Sequence, residues 1–271
     1  MNEMKYGELI TKIRKKRSWV IVLTIAAVLL LLILGSPIYI KAFGRVIVDY
    51  PGFPIALTVL LILLCLFVEI MVLAVVSAPI QASLDQECDP EKHFILNTYL
   101  NKPKYLNSVY STDYLYLGAY AESKKYAELL IQSTNVQMVL KGLFNYARCE
   151  FFLENYDLFR EAARQYESVL SSNAKMKPKV REMYEKMQNV LAFISLLIDG
   201  DLEKLKECKE NITPWRNSKA VEGFVHYLKG VAAYKLDDKM EAIYRFKAVE
   251  DICSKTVFAR LSAEYLSRIT V

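Results

Sequence analysis

Two long apolar stretches dominate the first eighty residues of the chain. They cover residues 19–40 and 54–76, and residues 41–53 separate them. Each exceeds the roughly 20 residues that a helix needs to cross the hydrocarbon core of a bilayer. Few polar side chains interrupt them: Thr24 in the first, before Gly35-Ser36-Pro37, and Thr58, Cys65 and Glu69 in the second. The pattern predicts a transmembrane hairpin over residues 19–76, with residues 41–53 as a short external loop.

The basic N-terminal segment, residues 1–18, sets the expected orientation of this hairpin. Residues 1–79 carry a net charge of +4, whereas residues 80–271 carry +1. Because Lys and Arg are retained on the cytoplasmic side, the N-terminus and the C-terminal part are both expected to be cytoplasmic. The side chains expected at the headgroups of the cell membrane are Arg14, Lys15, Lys16 and Arg17.

The pattern changes after the second apolar stretch. Residues 77–90 are bounded by prolines and are interpreted as a linker. From residue 91 to 271, apolar residues recur every three or four positions, and turn signals typical of β-hairpins are scarce. This spacing predicts an all-α domain. Within it we expect a leading helix over residues 91–101, four helical hairpins, and a closing helix over residues 254–269.

Two of these hairpins share a pattern of small and aromatic residues. Residues 225–252 combine Gly230 on a first helix with Ala242 and Phe246 on a second. The same positions recur in residues 143–170, as Ala147, Ala162 and Tyr166. Small residues at these positions let two helices approach closely. Residues 114–133 and 187–211 are interpreted as two further, weaker units.

This pattern resembles the tetratricopeptide repeat. The proline that usually closes the repeat is missing, and the spacing between units is irregular. The resemblance implies an α-solenoid of about four stacked hairpins whose inner wall binds other proteins. It covers about two-thirds of the chain, by the extent of the repeating units.

Two features are candidate partner-binding sites. A group of tyrosines opens the helical domain: Tyr110, Tyr114, Tyr116 and Tyr120. Their amphipathic rings suit an interface, and the alternative is that they pack the hairpins together. Glu69 places a carboxylate within the second apolar stretch, where a charge is costly. It is expected to face another membrane protein or a second copy of this chain, or to reach toward headgroup water.

Catalytic and metal-binding patterns are lacking in the sequence. Two histidines and five cysteines without a CxxC pair predict neither a metal site nor a disulfide framework. The cysteines are expected to be free thiols. No nucleotide-binding, zinc-protease or serine-hydrolase motif occurs, so we expect no enzyme and no cofactor.

These observations favour a binding role. The first hypothesis is a membrane-anchored adaptor or scaffold that binds partner proteins through its cytoplasmic repeats. The alternative is an accessory or regulatory subunit of a membrane complex, such as a transporter or secretion machinery, contacted through the hairpin. The expected partners are membrane lipid and proteins, including another membrane protein. The near-neutral helical domain predicts no nucleic-acid role.

Overall fold

The computed structural model describes residues 6–36, 38–42, 45–50, 54–101, 106–173 and 175–269. The chain divides into two compact units, residues 2–79 and residues 80–271. The all-α class predicted from the sequence is confirmed: the described part of the chain holds twelve helices and one two-stranded β-hairpin.

The N-terminal unit consists of two long helices joined through the β-hairpin. Helix α1 spans Gly7–Gly35, strands β1 and β2 span Ile38–Ala42 and Arg45–Tyr50, and helix α2 begins at Ile55. The strands are antiparallel, with Ile38 opposite Tyr50. The sequence predicted a first span reaching residue 40 and an irregular loop over 41–53. The first helix ends earlier because Pro37 follows it, and β-branched residues in both segments favour strands.

Helices α1 and α2 pack against each other in opposite directions. The Arg17 guanidinium donates hydrogen bonds to Ser77 Oγ at 3.2 Å from Nε and 2.7 Å from Nη2. At the other end, a Cβ on Gly35 would lie 2.7 Å from Thr58 Oγ1, so only glycine allows this approach. Both helices are long and apolar enough to cross a membrane, and their apolar windows are not buried by protein.

The predicted linker over residues 77–90 is wrong for its first part, because α2 continues to Asp85. Pro79 lies inside the helix and removes one backbone donor. The helix nevertheless persists, since Ile80 and Leu84 are buried and Leu84 belongs to the core of the C-terminal unit. Burial of these side chains outweighs the local preference of proline for a helix end.

The C-terminal unit contains ten helices, α3 to α12, among the residues that the structure describes. Their bounds are α3 Pro90–Leu100, α4 Asn107–Leu117, α5 Tyr120–Ile131, α6 Val136–Phe152, α7 Tyr156–Ser172, α8 Pro178–Asp199, α9 Leu202–Cys208, α10 Lys219–Lys235, α11 Lys239–Cys253 and α12 Val257–Ile269. The leading helix, the closing helix and the helices of the four predicted hairpins are all present. Consecutive helices pack against each other along this unit.

Short polar turns separate consecutive helices of this unit. Gly200 ends α8 in the left-handed conformation, with φ 69°, which glycine adopts without strain. Asp201 then caps α9 by accepting a hydrogen bond from the backbone N–H of Lys204 at 3.2 Å. Asp238 caps α11 in the same way, from the N–H of Glu241 at 3.1 Å. Such caps satisfy backbone donors that the first helical turn leaves free.

The core of this unit joins its beginning to its end. Tyr116 on α4 packs edge to face against Phe258 on α12, with ring centroids 5.4 Å apart. Phe152 on α6 contacts Phe224 on α10 and Phe258 as well. An open solenoid makes contacts only between neighbouring repeats. Here α12 also packs on α4, so the helices enclose a shared aromatic core.

A disulfide reinforces this closure. Cys88, before α3, is bonded to Cys253 at the end of α11, across 165 residues. The prediction of free thiols is therefore wrong for these two residues, because the fold brings together positions that are distant in sequence. Cys65, Cys149 and Cys208 are free thiols.

Candidate functional site

Stripes from three helices converge on a cavity of about 230 Å³ in the C-terminal unit. Each stripe repeats every three or four residues, so its members share one helix face. They are Ser108, Thr112 and Tyr116 on α4; Gln137, Lys141, Phe144, Asn145 and Arg148 on α6; and Val180, Met183, Tyr184 and Met187 on α8. Trp215, Arg216 and Val221 complete the wall. These helices are the first members of consecutive helix pairs, so the cavity lies where those pairs meet.

Arg148 is the most unusual residue of this wall. Its side chain is 2% exposed, and its guanidinium lies 4.3 Å from the ring centre of Phe144 and 5.6 Å from that of Trp215. Nη2 donates a hydrogen bond to Asn145 Oδ1. No acceptor within the described residues meets Nε or Nη1. Burial lowers the pKa of Arg148, since the charged form loses its hydration there.

A buried polar network holds Asn145 beneath the guanidinium. The Asn145 amide donates to Ser111 Oγ at 2.9 Å and to Thr112 Oγ1 at 3.2 Å. Ser123 Oγ in turn donates to the Ser111 carbonyl at 2.5 Å. These bonds join α4, α5 and α6, so the position of Arg148 is fixed through its neighbour. Networks of this kind orient a functional side chain more precisely than packing alone.

The charge of the cavity wall is positive. Lys141, Arg148 and Arg216 line it, and none of its described lining residues is Asp or Glu. Arg216 is paired, with Nη2 3.0 Å from Asp85 Oδ1. Lys141 is half-buried, and its pKa is lowered by burial first and by the charge of Arg216 second. Two cations, Lys141 and Arg148, therefore lack a carboxylate partner among the described residues.

His93 and Asp113 form a buried pair outside the cavity lining. His93 Nδ1 is 2.8 Å from both carboxylate oxygens of Asp113, which is fully buried. Burial raises the pKa of Asp113, although His93 opposes the shift. The pair links α3 to α4, and neither residue lines the cavity.

The four tyrosines proposed as a partner-binding surface lie in three separate places. Tyr110 and Tyr114 are half-buried and pack with Phe94 and Tyr126, with the Phe94 and Tyr110 centroids 4.8 Å apart. Tyr116 is 1% exposed and lines the cavity. Tyr120 stacks on Phe152 at 4.8 Å. The structure thus brings only Tyr110 and Tyr114 together, and Tyr116 is not on a surface.

The residues proposed for repeat packing are buried between helices. Ala147, Ala162, Tyr166, Ala242 and Phe246 are each at most 4% exposed. A Cβ on Gly230 would lie 2.6 Å from Phe246 Cε1, so α10 and α11 are in direct contact there.

The remaining proposed sites lie in the N-terminal unit. Arg14, Lys15 and Lys16 are exposed on α1, and Arg17 is partly buried by its bonds to Ser77. Glu69 lies on α2 among exposed apolar residues such as Phe67 and Ile70. It forms no ion pair or hydrogen bond with the described part of the chain.

Sequence reasoning missed the cations of the cavity. Arg148 directly follows Ala147, which the repeat pattern singles out, and it lies within the apolar run that forms α6. A lone arginine on the buried face of an amphipathic helix is the signal that marks it. Arg216 and Trp215 lie in an irregular segment between α9 and α10, where no periodicity identifies them.

Among the described residues, no group of three or more His, Cys, Asp or Glu side chains is placed to hold a metal ion. No protein-family model, curated protein or solved structure matches this chain.

Proposed function

We propose that this chain is a membrane-anchored adaptor that binds a segment of a partner protein in the cavity between α4, α6 and α8. The observation that carries the proposal is Arg148, a buried cation with unused donors in the wall of an open cleft. Buried charges are normally paired. A cavity with an unpaired buried cation in its wall is suited to a ligand that supplies the opposite charge.

The composition of the cleft supports a protein partner. Trp215, Met183 and Met187 give it an apolar wall beside the cations. Recognition sites commonly combine apolar walls with a few placed polar groups. Helical hairpins packed in series, which resemble tetratricopeptide repeats, present such clefts on the faces of their first helices.

The N-terminal unit supports a membrane anchor. Its two helices are antiparallel and expose large side chains such as Leu60, 62% exposed, and Phe67, 60% exposed. Bilayer tails would cover this apolar surface, which would be costly to expose to water. We propose that the helices cross the cell membrane, with lipid contacts from the basic residues of α1.

Two features of the chain favour opposite sides of the membrane for the helical domain. The basic N-terminus favours a cytoplasmic helical domain. The Cys88–Cys253 disulfide favours an oxidising compartment, since disulfides are rare in the cytosol. We propose the cytoplasmic side, where the bond would be a redox-sensitive tie. The test is labelling of intact cells with a membrane-impermeant thiol reagent. Labelling of Cys208 that is absent from a Cys208→Ser control would place the helical domain outside the cell and contradict this orientation.

The partner-binding proposal is tested by site-specific photocrosslinking of the full-length protein in its native membrane. A photoreactive residue at Met183, in the cavity wall, is expected to capture a defined partner. The same residue at Met240, 78% exposed on α11, is the control and is expected to capture none. Equal capture at both positions, or none at Met183, would contradict the proposal.

The alternative function, an accessory subunit of a membrane complex, is favoured by Glu69. This carboxylate lies on an apolar helix and has no partner in the described part of the chain. A basic or polar residue on another membrane protein would satisfy it.

A further inference from the structure

Arg148 retains most of its hydrogen-bonding capacity inside the protein. A guanidinium has five N–H donors, of which Nε and Nη1 carry three. Nη2 donates to the side-chain oxygen of Asn145, whereas Nε and Nη1 meet no acceptor within the described residues. The side chain is 2% exposed, so water at the surface does not replace the missing acceptors. Buried donors in this state cost free energy that a ligand can recover.

Aromatic rings hold the guanidinium in place without neutralising it. Its Cζ lies 4.3 Å from the centre of Phe144, 5.2 Å from Phe224 and 5.9 Å from Tyr116. Contacts of this kind stabilise a cation through the ring faces. The ring faces accept no conventional hydrogen bond, so Nε and Nη1 remain without an acceptor among the described residues, although the Tyr116 hydroxyl also interacts with the guanidinium.

Lys141 adds a second charge on the same face of α6, two helical turns before Arg148. It lines the same cavity and forms no ion pair with the described part of the chain. Ser108, Thr112 and Gln137 add neutral polar groups to the wall. Arg216 is already paired with Asp85 and contributes less. The uncompensated charge of the cavity is therefore that of Lys141 and Arg148.

The size of the cavity limits what it can hold. Sites for drug-sized ligands measure about 300–1,000 Å³. A cavity of about 230 Å³ is smaller, so it admits one terminal group or side chain of a partner and not a whole peptide segment. The apolar side chains of Met183 and Met187 at its wall suit the carbon chain that carries such a group.

We infer that the cavity recognises an oxyanion, a carboxylate or a phosphate, at the tip of the partner segment, which pairs with Arg148 and Lys141. This inference rests on the proposed function, because it names the group that the cleft selects. Guanidinium groups bind both oxyanions through short, charge-assisted hydrogen bonds. A cationic tip would be repelled by both charges, and a neutral oxygen would accept weaker hydrogen bonds without neutralising them.

The first test is thermal unfolding of the full-length protein in detergent with sodium acetate or sodium phosphate. Sodium chloride at equal ionic strength is the reference. At a hundredfold excess over Kd, binding is expected to raise the midpoint by about 5–10 °C. A rise with acetate alone assigns a carboxylate, a rise with phosphate alone a phosphate, and a rise with both any oxyanion. Equal midpoints in all three salts would overturn the inference.

Two variants tie the effect to the cavity. Lys141→Met and Arg148→Lys are each expected to weaken anion binding at least tenfold. Lys179→Met, which removes an exposed lysine of α8 outside the cavity, is the control and should bind as the unaltered protein does. Lys141 is only half-buried, so its variant keeps the test valid where Arg148→Lys fails to fold. An unchanged anion effect in Lys141→Met would overturn the inference.

Photocrosslinking at Met183 separates this inference from the proposed function. If Lys141→Met leaves the capture of a partner undiminished and no anion raises the unfolding midpoint, the inference is overturned and the adaptor proposal stands. An anion effect without capture would overturn the adaptor proposal and assign the cavity to a free anion. Capture that Lys141→Met abolishes and Lys179→Met preserves supports both.

Discussion

Cys88 and Cys253 are joined by a disulfide, with their Cα atoms 5.3 Å apart, and this bond connects the segment before α3 to the end of α11. Lys255 strengthens the same junction, because its Nζ lies 2.7 Å from Asp89 Oδ2. The helical unit is thus closed by a covalent bond and an ion pair at one seam.

Loss of the disulfide is expected to destabilise the helical unit. Cys253→Ala removes the bond and should lower the free energy of unfolding by about 2–5 kcal/mol, because the unfolded chain gains freedom. Cys208→Ala, which removes a free thiol, is the matched control. Denaturant unfolding of both variants measures the difference. Five titratable thiols in the untreated, denatured protein would contradict the bond.

Substitution of Gly230 should separate α10 from α11. A Cβ there would lie 2.6 Å from Cε1 of Phe246, whose ring is fully buried. Gly230→Ala is therefore expected to cost about 1–3 kcal/mol through overpacking, although alanine normally favours a helix. Gly7→Ala is the control, since its Cβ meets nothing within 4 Å. Phe246→Leu should restore part of the loss when both changes are combined, which a double-mutant cycle measures.

Glu150 predicts a pH dependence of stability. Burial alone would raise its pKa, but hydrogen bonds from Lys124, Asn155 and Tyr146 together lower it below 4.5. The unfolded state therefore binds a proton first, so this stabilisation is complete above about pH 4.5 and is lost as pH falls through the folded pKa. Glu150→Gln should flatten the profile of unfolding free energy in that range. A profile unchanged by the substitution would contradict this account.

Substitution of Lys124, the cation paired with Glu150, tests the same interaction through the free energy of unfolding at neutral pH. Lys124 Nζ lies 2.5 Å from Glu150 Oε1, and the glutamate side chain is fully buried. Lys124→Met should lower the free energy of unfolding by about 2 kcal/mol or more, because it leaves a buried carboxylate without its cation. Lys125→Met, beside it on α5 and largely exposed, should change stability by less than about 0.5 kcal/mol.

Tyr110 distinguishes hairpin packing from partner binding. Its hydroxyl shares a hydrogen bond with Thr98 Oγ1 at 3.1 Å, and its ring contacts Phe94 and Tyr126. If the ring packs the fold, Tyr110→Phe should cost about 1 kcal/mol and Tyr110→Leu more. Thermal unfolding measures both. A Tyr110→Leu protein of unchanged stability that loses its partner would assign the ring to an interface instead.

Glu69 tests the alternative function. Glu69→Leu should release a membrane partner or change the oligomer size if the carboxylate faces another subunit, since the variant removes the polar contact. Size measurement and crosslinking in native membranes give the readout, with Cys65→Leu one turn earlier on α2 as the control. An unchanged assembly would restrict the anchor role to lipid contact.

Periodicity predicted the helices because each stripe is a local property of ten to twenty residues. Gly200 ends a helix through its left-handed backbone, and Asp238 caps one through its side chain; both effects are local as well. The cavity was not predictable in the same way. The position of Arg148 in a cavity wall depends on α4, α8 and Trp215, which approach it only after folding. The disulfide and the contact of Tyr116 with Phe258 depend on equally distant positions.

Pro79 shows the opposite case, in which a local rule failed. Proline within a polar segment favours a helix end, which is why the sequence predicts a linker over residues 77–90. The neighbouring residues Ile80 and Leu84 are 2% and 3% exposed, and their burial keeps the helix continuous. Local propensity was overridden by packing that the sequence does not reveal.

The seam at Cys88 also sets an order for biosynthesis. The ribosome must add 165 residues after Cys88 before Cys253 exists, which at about 5–20 residues per second takes roughly 10–30 s. The two apolar helices are synthesised before that interval begins, while most of the helical unit has not yet been made. Cys88 is therefore an unpaired thiol for as long as the domain is unfinished, and the closing bond forms only after almost the whole chain has been made.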